Sequence, residues 1–99
     1  MSKETIRVIA EITARVDKVA AVEAILKKII VPTRQENGCL SYQLFRRRNH
    51  TAEFLFIEEW TDEKAVDAHF KTPHLQEALN QVTPLLAKAP NIQKYTWLA

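Results

Sequence analysis

The chain has one glycine, one cysteine and no long apolar run, and each shortage removes a class of function. With Gly38 alone there is no GxGxxG turn, no Walker A loop and no GxSxG nucleophile elbow, because these motifs need several glycines for tight turns or close approach to phosphate. With Cys39 alone there is no internal disulfide and no CxxC redox or metal motif. No stretch approaches the roughly 20 apolar residues of a membrane-spanning helix. The opening Met1-Ser2-Lys3-Glu4 carries no apolar leader, so the expectation is a cytoplasmic protein with no membrane partner. Charge of one sign is scarce too. The formal net charge is +2 and the sequence pI is near 8.8, with Arg46-Arg47-Arg48 the only basic cluster. That is weak ground for binding nucleic acid, and no such partner is expected.

What remains is an ordinary globular composition: 99 residues, 46% hydrophobic and 26% charged. That length and balance predict a single domain over residues 1–99. Residues 5–14 alternate, with Ile6, Val8, Ala10 and Ile12 on one face, as in a strand. Asp17 is placed to cap a helix whose apolar stripe is Val19, Val22, Ile25, Leu26 and Ile29. Pro32 should loosen the last turns of that helix, and Asn37-Gly38 should stop it. A second strand covers residues 39–47, with Leu40, Tyr42 and Leu44 on one face. Arg48-Asn49-His50-Thr51 makes a hairpin connection to a third strand at 52–60. There Phe54 and Phe56 point one way and Leu55 and Ile57 the other.

Thr61 or Asp62 caps a short helix that carries Ala65, Val66, His69 and Phe70. Thr72-Pro73 restarts the helix with Thr as N-cap and Pro in the first turn. Leu75, Ala78, Leu79, Val82 and Leu86 give the restarted helix its stripe, and Pro84 ends or bends it. Residues 91–98 form the last strand, with Tyr95 and Trp97 on one face. The order βαββαβ is the α+β, ferredoxin-like arrangement with an antiparallel sheet. Helices cover one sheet face only, yet the third strand is apolar on both. A second copy, giving a sheet-to-sheet homodimer, is the simplest cover.

His69 is the leading candidate for chemistry, since it shares a helical face with Ala65 and Val66 and therefore points inward, where an imidazole can serve as base or acid. A core histidine satisfied by a carbonyl is the plainer alternative. Trp60 ends the third strand just before that helix and is expected to line the same cavity as a flat apolar wall. Glu58 shares Trp60's strand face, and Glu59 the opposite one; the pattern leaves open which carboxylate is inward. Tyr42 offers a hydroxyl in the middle of the second strand. His74 follows Pro73, and a surface role in the first turn suits it as well as a pocket role. Five residues and a capped restart between His69 and His74 put them on different faces, so no metal site is expected. Cys39 reads as structural.

Three stretches carry a resemblance: Arg34-Gln35-Glu36-Asn37-Gly38-Cys39-Leu40-Ser41-Tyr42, Phe54-Leu55-Phe56-Ile57-Glu58-Glu59-Trp60, and Ala68-His69-Phe70-Lys71-Thr72-Pro73-His74. Together they resemble the antibiotic biosynthesis monooxygenase (ABM) domain family, with its E-x-G-C-x-x-Y, E-x-W and H-x-x-x-P-H patterns in this order. The resemblance covers nearly the whole chain. It implies a dimeric α/β barrel and chemistry without a cofactor in a pocket between sheet and helices. It implies oxidation of a quinol or phenolic small molecule by O2. One branch instead isomerises a phosphorylated carbonyl compound of the autoinducer-2 type, and a non-catalytic dimer that binds small molecules or acts in stress response is a third reading. By motif match Glu58, Trp60, His69, His74 and Tyr42 fall on the family's pocket positions, and His69, Tyr42 and Glu58 are the catalytic candidates. Trp60, His74, Phe56 and Phe70 are the substrate-binding candidates. Haem degradation is disfavoured: residues 1–15 contain no asparagine, and the third helix has only His74, at its start.

Overall fold

Alternating side chains at the N-terminal end fold as β1 (Ile6–Thr13), with Val8, Ala10 and Ile12 buried. The computed structural model describes residues 4–99. After β1 come α1 (Val19–Lys28), α2 (Ile30–Arg34), β2 (Cys39–Arg46), β3 (Glu53–Trp60), α3 (Glu63–Phe70), α4 (Pro73–Val82) and β4 (Asn91–Thr96). The four strands form one antiparallel sheet in the order β2-β3-β1-β4. This is the ferredoxin-like α+β fold expected from the element order. Among the described residues no helix is long and apolar enough to cross a membrane.

Register decides which side chains meet under the helices. Glu58 pairs with Val8 on one side and Tyr42 on the other, and Phe56 pairs with Ala10 and Leu44. In β3 the buried positions are Phe54, Phe56, Glu58 and Trp60, and the intervening ones are half-buried. Glu58 is therefore the inward carboxylate. Glu59 lies on the other face, 3.9 Å from Arg7. The buried strand residues join Val22, Leu26, Ile29, Val66, Leu75, Ala78 and Val82 from the helices in one core. Burying each large aliphatic or aromatic side chain there contributes roughly 1.5–3 kcal/mol.

Several local readings change. Asp17 is not the helix cap: Lys18 holds that position, and no side chain bonds the first turn. The long first helix is cut at Ile29 into α1 and the five-residue α2. Pro32 lacks the N–H that would have bonded the Lys28 carbonyl, and Lys28 is where α1 ends. Leu40 does not share Tyr42's face. The β2–β3 pairing slips between Cys39 and Ser41, leaving Leu40 in a bulge and 52% exposed. Leu86 lies beyond its helix, which ends at Val82 and passes through a 3₁₀ turn at Thr83–Leu85; Leu86 instead bridges to Ala14. Asp62 rather than Thr61 caps α3, accepting from the Ala65 N–H at 2.9 Å. Thr72 caps α4 with Pro73 in its first turn, as expected.

Gly38 has φ +90°. A Cβ there would lie 2.6 Å from the Ala65 Cβ and 2.7 Å from the Thr61 Oγ1. The one glycine thus sits where the turn into β2 presses against the start of α3. Asn49, at φ +66°, makes the corresponding left-handed step in the hairpin. The arginine run ends the sheet with structural pairs. Arg46 bonds Glu23 and lies over the Phe54 ring at 5.0 Å, and Arg47 bonds Glu53 at 3.1 Å.

Candidate functional site

A narrow pocket with a cavity volume of about 40 Å³, partly open to solvent, lies between the sheet and α1, α3 and α4. Its wall is almost wholly apolar; Tyr42, Glu58 and His69 are its polar members, with Phe56 and Phe70 among its apolar ones. A few convergent polar groups in an apolar cleft are the usual composition of a small-molecule site.

His69 comes from the last turn of α3, whose buried face it shares with Ala65 and Val66. Its ring is 1% exposed and packs against Trp60 at 4.7 Å, Phe70 at 5.4 Å and Tyr42 at 5.5 Å between centroids. The Nδ1 atom lies 2.8 and 3.1 Å from the two carboxylate oxygens of Glu36. With Glu36 ionised, Nδ1 carries the proton and donates it, which leaves Nε2 as a lone-pair acceptor. Among the described residues no group bonds Nε2, and the ring lines the pocket. Burial holds the His69 pKa below the ordinary value, opposed by Glu36 and aided by His74.

Glu58 is 3% exposed and accepts a hydrogen bond from the Trp60 indole N–H at 2.9 Å. Burial, offset in part by that bond, pushes its pKa up to about 7. It is therefore poised to hold or release a proton at neutral pH. Tyr42 is buried, and desolvation together with the Glu58 charge pushes its phenol well above the ordinary range. The phenol stays protonated and can only donate or accept a neutral hydrogen bond.

Two expected pocket residues lie elsewhere. Trp60 does not line the pocket. It is fully buried behind His69, where its ring backs the imidazole and its N–H holds Glu58. His74 faces a separate cavity with Ile25, Lys28, Glu77 and Gln81. His69 and His74 are nonetheless not held apart as the sequence suggested. The break at Lys71-Thr72 turns α4 so that His74 Nε2 lies 2.6 Å from Glu36 Oε2, the oxygen nearest His69. The three donor atoms lie within 4.8 Å of one another, close enough for one metal ion. Cys39, its pKa raised to about 11 by burial and by Glu36, is a thiol and not a nucleophile.

Glu36 is the residue that the sequence did not single out. It stands in the turn between α2 and β2, a turn fixed by Arg34, whose guanidinium makes two bonds to the Tyr42 carbonyl at 2.9 and 3.1 Å. Its partners are 33 and 38 residues away, beyond the reach of any local pattern. The available signal was its position inside the stretch leading to Gly38 and Cys39.

Residues 5–81 match the antibiotic biosynthesis monooxygenase family. The chain belongs to that family. The ABM chain is 35% identical over 92 residues to an uncharacterised protein of Synechocystis, which covers 93% of it and spans 63% of that relative's length. It is also 35% identical over 83 residues to a Mycobacterium tuberculosis protein named, provisionally, as a monooxygenase, covering 84% of this chain and 81% of that one. The solved structure of the mycobacterial protein superposes with a TM-score of 0.91 at 32% identity over 96% of both chains. A Pseudomonas aeruginosa crystal structure gives 0.91 at 32% identity over 97% of this chain and 96% of that one.

Proposed function

We propose that this ABM protein oxidises a quinol or phenolic small molecule with O2, without an organic cofactor, and that His69 is its base. The observation that carries the reading is His69 itself: Nδ1 is tied to Glu36, and Nε2, at the wall of an apolar pocket, has no partner among the described residues. An imidazole oriented by a carboxylate at one nitrogen accepts a proton at the other.

In the proposed reaction Nε2 takes a phenolic proton, and the phenolate passes one electron to O2. The semiquinone and superoxide combine at a ring carbon bearing hydrogen, and the peroxide takes the proton back. Nε2 then removes the ring C–H proton while Glu58, in its protonated form, gives a proton to the departing hydroxide; the imidazolium then restores the Glu58 proton. One oxygen atom enters the ring and the other leaves as water. The quinol supplies all four electrons, and the product is a hydroxyquinone. Phe56 and Phe70 supply the apolar walls for a flat substrate, and Tyr42 a neutral hydroxyl. The same acid and base also suit an isomerase acting next to a carbonyl. A homodimer closing over the outer sheet face completes the proposal.

Turnover of a quinol panel under air, under nitrogen and under ¹⁸O₂ tests it. One labelled oxygen per product molecule is expected, with no conversion under nitrogen. Oxygen-independent conversion of a hydroxycarbonyl compound would mark the isomerase, and no conversion at all a binding role. His69→Ala should lower turnover by roughly 10²–10⁴-fold. It also removes a ring wedged among three aromatics and should cost stability. Glu36→Gln keeps the packing and removes only the orienting charge, so turnover per folded molecule should fall there too.

A further inference from the structure

We infer that Glu36, His69 and His74 form a binding site for one divalent transition-metal ion of the Zn²⁺ class. The donors converge from three separate elements: the turn after α2, the end of α3 and the start of α4. Glu36 Oε2 lies 2.8 Å from His69 Nδ1 and 2.6 Å from His74 Nε2. A tetrahedral ion with bonds of about 2.0–2.1 Å needs its donors roughly 3.3 Å apart, so the two contacts to Glu36 have to open slightly, and the imidazole nitrogens already lie within 4.8 Å of each other. Two imidazoles and one carboxylate suit zinc or its late first-row neighbours and do not suit calcium or magnesium, which want oxygen.

The site also has an entrance. The Glu36 and His69 side chains are 11% and 2% exposed, but His74 is 25% exposed and opens on the cavity with Lys28, Glu77 and Gln81. An ion arriving there finds three protein donors.

The place of the ion relative to the pocket decides what it does. Neither Glu36 nor His74 lines the pocket; His69 alone touches both. The ion therefore sits on the far edge of the imidazole and cannot meet a substrate. Coordination at Nδ1 moves the ring's one proton to Nε2, turning an acceptor into a donor. Zinc is thus expected to silence His69. That consequence rests on the proposed base role, whereas the site itself rests on geometry alone.

Calorimetric titration of the metal-stripped protein with Zn²⁺, paired with turnover on the same samples, tests both. One saturable ion per chain is expected, with a rise in melting temperature and little response to Mg²⁺. His74→Ala and Glu36→Gln should each weaken binding by at least roughly 10–100-fold, the loss that follows removal of even an outer-shell partner. Cys39→Ser and His50→Ala remove the competing donors and should leave the affinity unchanged; circular dichroism in chelator confirms that each variant is folded. No saturable site, or zinc affinity unaltered by His74→Ala and Glu36→Gln, overturns the assignment. Binding lost in those variants without any effect of zinc on turnover keeps the site and counts against His69 as the base.

Discussion

Glu58 places a carboxylate in the middle of an apolar face, and its chemistry follows from that position. The folded pKa is about 7 against an ordinary 4.5. Between those values the folded state holds more protons than the unfolded chain, so the Glu58 contribution to stability falls as pH rises through that window. The full effect is up to about 3 kcal/mol. His69 acts in the opposite sense: its pKa is lowered on folding, so its contribution is lost as pH falls below the ordinary imidazole value. Comparing melting temperatures of the native protein and Glu58→Gln from about pH 5 to 8 isolates the first effect. The native protein should lose ground steadily to the variant as pH rises. A constant difference would mean that Glu58 is ionised throughout. At this scale the inward turn of His69 was legible from Ala65 and Val66 beside it. The inward turn of Glu58 was not, because alternation in β3 is apolar on both faces and only pairing with Val8 and Tyr42 decides it.

Elements were legible where a local signal set their ends. Thr72-Pro73 starts α4, Asn49 turns the hairpin, and Pro32 breaks the first helix. The bulge at Leu40 and the loss of Asp17 as a cap were not legible. Both depend on how a segment meets a distant partner: β2 against β3 in one case, and the link from β1 to α1 in the other. Gly38 stands between these cases. The sequence offers it as a helix stop, but its stricter role is contact with α3. Gly38→Ala combines positive φ with overlap on Ala65 and Thr61 and should cost roughly 2–4 kcal/mol. Chemical denaturation measures this directly; a loss under about 0.5 kcal/mol would show that the turn relaxes freely.

For the molecule as a whole, the four-strand antiparallel topology was readable from element order, because short connections and antiparallel hairpins leave few arrangements. The outer sheet face is the part that one chain does not finish. Leu55 and Ile57 are only half-buried there, and Phe45 and Tyr95 are 45% and 49% exposed. Sedimentation at micromolar concentration should therefore give about twice the chain mass of 11.4 kDa, and Ile57→Glu should shift it toward one chain. A monomer at every concentration would remove the proposed homodimer.

The single glycine carries one more consequence. Gly38 is jammed against Ala65, and no other position in the chain has glycine's backbone freedom. The walls of the pocket come from helices and strands, with Ile29 and Pro90 the lining residues outside them. The proposed substrate thus meets walls with little backbone slack to serve as a flap. In stopped-flow mixing the observed rate should climb in proportion to ligand concentration, without the plateau that a preceding rearrangement imposes.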